Sequence, residues 1–131
     1  MNFRLDKAVM PPTFVTSGRT YTLIVEDDEL YILNTGRAKG EGAGVIGLGV
    51  HAIIDKEIKK GEERIDKGSI RELVKEKHCA LLTKDQITAV NLKEARNEVT
   101  LDVHASKKKY HFLFPLEALP QVKELESLLT N

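Results

Sequence analysis

The chain has 131 residues, of which 41% are hydrophobic and 31% charged, and this size and balance fit one folded domain with a modest core. The apolar fraction is too high for a chain that is disordered throughout, and the charge is spread too evenly for a polytopic membrane protein. Twenty basic and twenty acidic residues leave a formal net charge of zero, so binding to nucleic acid or anionic lipid would need a local patch. The sequence therefore predicts a single domain over residues 1–131.

The cysteine content and the apolar runs bear on the cellular compartment. Cys79 is the single cysteine, so it has no partner for an internal disulfide, which favours a reducing environment. The N-terminal residues lack the apolar run of a secretory signal, and the longest apolar stretch, residues 43–54, is shorter than the ~20 residues of a bilayer-spanning helix. We expect a cytoplasmic protein and leave peripheral contact with a membrane open.

The first third of the chain carries strand patterns. Residues 21–34, YTLIVEDDELYILN, alternate around the acidic break Glu26-Asp27-Asp28-Glu29 and predict a β-hairpin. Upstream, prolines and a glycine punctuate a looser segment, in which Phe14 and Val15 would add a short edge strand or cover the core.

The middle of the chain predicts an insertion, over residues 37–78, that is glycine-rich and then helical. An apolar stripe with a four-residue step predicts a helix over residues 45–60; its members are Ile46, Val50, Ile54 and Ile58. Ser69 and Glu72 have the spacing of a capping box, which predicts a second helix that ends near residue 77.

The last third returns to strands and ends in a helix. Residues 79–82, 87–92, 98–104 and 110–114 predict strands, because they are apolar, β-branched or alternating. Residues 120–130 predict an amphipathic helix, with apolar positions spaced mostly by threes and fours. The fold class that follows is α+β, an antiparallel sheet closed by a C-terminal amphipathic helix.

This order of a strand hairpin, a further meander, an aromatic strand and a C-terminal helix resembles the pleckstrin-homology-like (PH-like) domains, especially small bacterial ones and the related GRAM type. The resemblance covers roughly residues 14–36 and 80–129. It implies a bent antiparallel sheet of about seven strands, a partly open barrel whose open end the last helix plugs. The plug residues would be Leu119, Val122, Leu125 and Leu129.

Members of this family are mostly non-enzymatic and bind lipid headgroups, peptides or proteins. In members that hold phosphoinositides, basic residues in the loop between the first two strands make the contact. Here we take that loop to be residues 26–29, whose four carboxylates would repel a phosphate.

The glycine-rich segment offers two functional interpretations. Its apolar residues Val45, Ile46, Leu48 and Val50 are candidates for docking a partner surface. The match to G-x-G-x-x-G between Gly42 and Gly47 suggests backbone amides around a phosphate. A dinucleotide site also needs a second parallel strand that ends in an acidic residue, and this stretch lacks one. Glycines that let a loop turn and a helix pack closely are the favoured interpretation of the motif.

Basic residues near turns form a second candidate site, for a phosphate or headgroup: Arg37, Lys39, Lys107, Lys108 and Lys109. Solubility and protection of a sheet edge are the favoured roles for the lysines. His104 and His111 would bind a metal if they faced each other across a hairpin, yet no third ligand is evident, so we expect surface histidines. The sequence predicts no metal and no cofactor.

The sequence therefore favours a non-enzymatic binding module. It carries no G-x-S-x-G motif and no distinctive carboxylate pair, and four Phe, three Tyr and no Trp give little surface for stacking on bases. We expect a protein partner or a second copy of the chain, docked through the glycine-rich apolar segment, with a membrane-associated partner left open. The alternative is a domain that binds a phosphate-bearing small ligand at the loop from Gly42 to Gly47.

Overall fold

A computed structural model of the chain describes residues 3–11, 18–37, 56–106 and 108–130. Within these residues, seven strands form one antiparallel sheet in the order β4-β3-β2-β1-β7-β6-β5. The strands are β1 Phe3–Met10, β2 Arg19–Glu26, β3 Glu29–Arg37, β4 Ala80–Thr83, β5 Ile87–Glu94, β6 Glu98–Ala105 and β7 Lys109–Pro115. The helices are α1 Lys56–Lys67, α2 Ile70–Leu73 and α3 Leu119–Thr130. The predicted α+β class, with its seven antiparallel strands and C-terminal helix, is confirmed, and the sheet stays open with β4 and β5 as its edges.

Strand β1 lies at the centre of the sheet, a position for which the sequence predicts no strand. It pairs with β2 along its length and meets β7 where Val9 faces Leu113. A bulge between Leu5 and Ala8 puts Lys7 at a φ of 67° and interrupts the alternation that marks a strand. The loop between the first two strands is therefore residues 11–18, and the identification of that loop with residues 26–29 is wrong.

The acidic break is the turn of the next hairpin, as predicted. Asp27 and Asp28 connect β2 to β3 with φ values of 52° and 63°. A two-residue turn with both residues at positive φ matches the twist of the flanking strands, and aspartate accepts this conformation more readily than most residues. Glu26 and Glu29 face each other where the strands meet the turn.

The main core lies between the concave face of the sheet and α3. The inward-facing residues of β6 are Val99, Leu101 and Val103, each fully buried, and β7 adds Phe112 and Phe114. From α3, Val122, Leu125 and Leu129 are buried in the same cluster, and Leu119 packs partly buried at its margin. Both halves of the sheet contribute to this one cluster, so the sheet bends around α3 as the family resemblance implies.

A second, smaller cluster covers the outer face of β2 and β3. Ile24, Tyr31 and Leu33 are buried there by Ile65 of α1, and residues of α2 pack around them. Helix α1 runs to Lys67, beyond the predicted end at residue 60, because its C-terminal half lies on β3. The predicted helical residues 45–55 lie outside the described residues, as do Phe14 and Val15. No helix of the described residues combines the length and apolar character needed to traverse a bilayer.

The predicted capping box is wrong, and α2 is shorter than expected. Helix α2 has four residues, and the Ser69 side chain makes no capping hydrogen bond. The Ser69 carbonyl oxygen instead accepts hydrogen bonds from the amides of Glu72 and Leu73. The helix ends before residue 77 because the backbone turns towards β4, with His78 at a φ of 67°.

Polar contacts attach α1 to the sheet. Lys7, in the β1 bulge, places its Nζ 3.0 Å from Glu62 Oε2, and Arg4 forms an ion pair with Asp66. Gly61 packs so closely on β3 that a Cβ there would lie 2.7 Å from Thr35 Cα. The downstream end of the predicted insertion is thus fixed to the outer face of the sheet.

Candidate functional site

The predicted docking residues Val45, Ile46, Leu48 and Val50 lie outside the described residues, as does the loop from Gly42 to Gly47. Their roles stay predictions. The structure shows the two elements that flank this segment. Strand β3 ends at Arg37 on one side, and α1 begins at Lys56 on the other.

The strand register places predicted basic residues at one end of the sheet. Arg37 lies opposite Arg19, and Arg19 lies opposite Met10, the last residue of β1. Because β7 runs antiparallel to β1, its first residue, Lys109, lies towards the same end of the sheet. We call the end that carries Arg19, Arg37, Lys108 and Lys109 the basic end. The loop of residues 11–18 and the start of the glycine-rich segment are connected to it.

Lys108 and Lys109, at the turn between β6 and β7, are exposed. Lys108 places its Nζ 5.1 Å from the centre of the Tyr110 ring, a distance at which the ring attracts an ammonium group. Lys109 lies opposite His104 across the hairpin. Lys39 and Lys107 lie outside the described residues. The structure thus places Arg37 and the described lysines at one end of the sheet, with β1 and β2 between them.

Arg19 and His78 belong to the basic end and were missed in the sequence analysis. Arg19 Nη2 lies 3.0 Å from His78 Nε2, and because a guanidinium has no acceptor, this His78 nitrogen must accept the hydrogen bond. Arg19 also lies opposite Arg37 in the backbone ladder. Only the strand register brings these residues together, and no motif in the sequence indicates it.

A cleft of about 740 Å³ occupies the gap between the two edges of the sheet. Its walls are the β2–β3 turn, residues 83–85, the first half of β5 and the C-terminal end of α3. We call it the seam cleft, because closing the barrel would require β4 and β5 to meet there. The sequence gives no signal for it, since its walls come from three separate segments, residues 27–29, 83–90 and 129–130.

The seam cleft is acidic at its rim and apolar at its base. Four carboxylates line it: Asp27, Asp28, Glu29 and Asp85. The single lysine among its lining residues, Lys84, has its Nζ 3.9 Å from Asp28 Oδ1. Apolar contact comes from Ile87, Val90 and Leu129. The arrangement suits a ligand that combines positive charge with apolar groups.

The histidines do not form a metal centre in the part of the chain that the structure describes. His111 contacts Asp102 through Nδ1, and His104 lies opposite Lys109 rather than His111. No group of three or more potential ligands occurs among the described residues. The strand register therefore does not place His104 opposite His111.

Cys79 and His78 point to different neighbours. Cys79 Sγ accepts a hydrogen bond from the Asn34 amide at 3.3 Å, while His78 contacts Arg19. Burial raises the pKa of the Cys79 thiol, although the Asn34 amide acts in the opposite direction. A protonated, half-buried thiol turned away from the imidazole is a structural side chain rather than an activated nucleophile.

No protein-family model matches this chain, and no curated protein matches it in sequence.

Proposed function

We propose that the protein is a non-enzymatic binding module of the PH-like type. It docks a protein or membrane-associated partner through the glycine-rich apolar segment, which follows β3 at the basic end. The strand order, the bent sheet and the terminal helix that fills its core support the family resemblance. That resemblance favours binding over catalysis.

The observation that carries the proposal is the convergence of three features at one end of the sheet. The glycine-rich segment leaves β3 at Arg37, the lysine turn precedes Lys109, and the loop of residues 11–18 joins β1 to β2 there. Basic residues beside an apolar segment suit a partner surface that has an acidic rim around an apolar patch.

The free energy of docking comes mainly from apolar burial. Val45, Ile46, Leu48 and Val50 would each contribute roughly 1.5 to 3 kcal/mol when fully buried against the partner. The basic residues would add about 1 kcal/mol each beside an anionic membrane surface. Salt weakens the second contribution far more than the first.

Flotation with neutral and anionic vesicles at low and high salt tests the membrane-associated form, and light scattering in the same buffers gives the solution mass. The double variant Ile46→Ser/Leu48→Ser should lose association while keeping its circular dichroism spectrum. The matched control is Leu81→Ser/Leu116→Ser, because both leucines are exposed, by 38% and 40%, and lie outside the segment. Equal association of both double variants would contradict the proposal.

The salt dependence separates the two contributions. Vesicle binding that survives high salt indicates insertion of the apolar segment, while binding lost with salt indicates the basic end. In the second case, Lys108→Gln/Lys109→Gln should abolish binding, and Lys93→Gln/Lys123→Gln, which removes two exposed lysines elsewhere, should not. Without flotation, a dimeric mass assigns the segment to self-association, and a monomeric mass directs the search to a separate protein.

A phosphate-bearing small ligand is the second candidate function, favoured by the placement of Arg19 opposite Arg37. Basic residues at neighbouring strand ends favour recognition of an anion, and arginine is the residue type best suited to bind a phosphate. Nucleotides and inositol phosphates should then raise the melting temperature of the protein. The Arg19→Gln variant should reduce that rise, and a melting temperature that none of these compounds changes removes this function.

A further inference from the structure

We propose that the seam cleft is a second binding site, which takes an extended, basic segment of a partner protein as an added strand on β5. The described residues that line it belong neither to the glycine-rich segment nor to the basic end. Binding at the seam cleft uses other residues than the proposed function and does not depend on it.

The backbone of β5 suits the addition of a further strand. Among the described residues, β5 pairs with β6 along one side and has no strand on its other side. A strand edge of this kind presents amide and carbonyl groups to which another extended chain can hydrogen-bond. The first half of β5, from Ile87 to Val90, forms a wall of the seam cleft, so the edge opens into available space.

The base of the cleft has a size and a chemistry that suit a short extended peptide. A volume of about 740 Å³ lies within the range typical of ligand-binding clefts. Four residues of β5 offer about 10 Å of edge to an added strand. Ile87 and Val90 are half-buried beside Leu129, so alternate apolar side chains of the incoming segment have surfaces to cover.

The charge of the rim selects a basic partner. Asp27, Asp28 and Asp85 are exposed, and Asp28 keeps 85% of its side-chain surface accessible although it faces Lys84. The chain as a whole is neutral, so the acidic rim is a local feature rather than a consequence of overall charge. Lysine or arginine side chains that alternate with apolar ones would meet the carboxylates while the apolar side chains enter the cleft.

A peptide of about eight alternating valine and lysine residues, the length of β5, is the direct probe. Fluorescence anisotropy should show saturable binding that weakens as salt increases. The same peptide with glutamate in place of lysine should not bind. A lysine peptide with alternate backbone amides methylated should also fail, because it cannot donate the ladder hydrogen bonds. Equal binding of the lysine and glutamate peptides, or full binding of the methylated one, would overturn the proposal.

The protein variants test the location of the site. Asp27→Asn/Asp28→Asn should weaken peptide binding about tenfold, in proportion to two lost exposed ion pairs, while asparagine preserves the positive φ of the turn. The matched control, Glu63→Gln/Glu124→Gln, removes two exposed carboxylates away from the cleft and should bind as the unchanged protein does. Identical losses in both variants would mean that the peptide responds only to overall charge, which refutes the assignment.

Two further measurements separate this site from the proposed function and from self-association. The Ile46→Ser/Leu48→Ser variant should bind the peptide normally, so failure of docking at the glycine-rich segment leaves the seam cleft unaffected. Hydrogen exchange should show slower exchange of β5 amides between Ile87 and Val90 when the peptide is present. If the protein forms a dimer that prevents peptide binding, and if the Lys108→Gln/Lys109→Gln variant no longer forms that dimer, then a second copy of the chain occupies the cleft. That result would overturn the proposal.

Discussion

Replacing Gly61 with alanine tests how closely α1 packs on the sheet. A Cβ at this position would lie 2.7 Å from Thr35 Cα and nearer still to the Thr35 carbonyl oxygen. Non-bonded carbon atoms attract at about 3.5–4.0 Å, so the methyl group overlaps backbone atoms of β3. Helix α1 would therefore have to move away from the sheet by about 1 Å to restore normal contact distances.

Two opposing contributions set the size of the effect. Alanine favours a helix over glycine by about 1 kcal/mol, whereas overpacking of this kind typically costs about 1–3 kcal/mol. Moving α1 also loosens the burial of Ile65 and stretches the contact between Lys7 and Glu62. We expect a net loss of about 1–2 kcal/mol in the free energy of unfolding, which lowers the melting temperature by about 3–8 °C in a chain of this length.

Thermal and urea denaturation followed by circular dichroism measure this loss. Lys60→Ala is the matched control, since Lys60 is exposed on the preceding position of the same helix and its removal should change the free energy by less than about 0.5 kcal/mol. A melting temperature that rises in Gly61→Ala would refute the reasoning, because that is the behaviour of an exposed helical glycine.

Three further predictions concern the core, a buried hydroxyl pair and the thiol. In urea denaturation, Leu125→Ala should lose about 2–5 kcal/mol because Leu125 is fully buried, while Leu116→Ala, at an exposed leucine, should change little. Thr20 Oγ1 and Thr35 Oγ1 are buried 2.9 Å apart, so Thr20→Val should lower the free energy of unfolding by about 1–3 kcal/mol by leaving the Thr35 hydroxyl without its partner. Adding Thr35→Val should restore part of this loss. A double variant whose loss is the full sum of the two single losses would contradict the prediction. Burial raises the pKa of the Cys79 thiol, so a disulfide reagent should reach half of its maximal rate at a higher pH with the folded protein than with the urea-unfolded chain; equal half-maximal pH values would contradict this. The stability that the protonated thiol contributes should be complete below the pKa of the unfolded chain and should decline as pH rises through the pKa of the folded protein.

The elements that could be predicted from sequence are those whose pattern is local. The alternation of Val99, Leu101 and Val103 gave β6 and its buried face correctly, and the spacing of Val122, Leu125 and Leu129 gave the core-facing side of α3. In each case one short stretch of chain contains the whole signal, because burial of one face imposes a regular period on the sequence.

The features that escaped prediction depend on distant segments. Strand β1 was missed because the bulge at Lys7 shifts its inward-facing positions by one residue between Leu5 and Ala8. The proximity of Arg19 to Arg37 follows from strand register. The seam cleft follows from the pairing of β3 with β4, which sets the β2–β3 turn beside residues 83–85, and from the position of the end of α3 beside β5. A sequence pattern contains neither kind of information.

The central position of β1 also has a consequence for the order of folding. Most neighbouring strands in the sheet are close in sequence, and hairpins such as β2–β3 and β6–β7 can pair as soon as both strands exist. The contact between Val9 and Leu113 instead joins residues 104 positions apart, and closing so large a loop carries an entropic cost that local hairpins avoid. During synthesis, β1 and its neighbours must wait for β7 to emerge before the two halves of the sheet can unite around α3. We therefore expect this joining step, rather than the formation of either half, to set the folding rate, so that destabilising the Val9–Leu113 contact slows refolding more than an equally destabilising change at the β2–β3 turn.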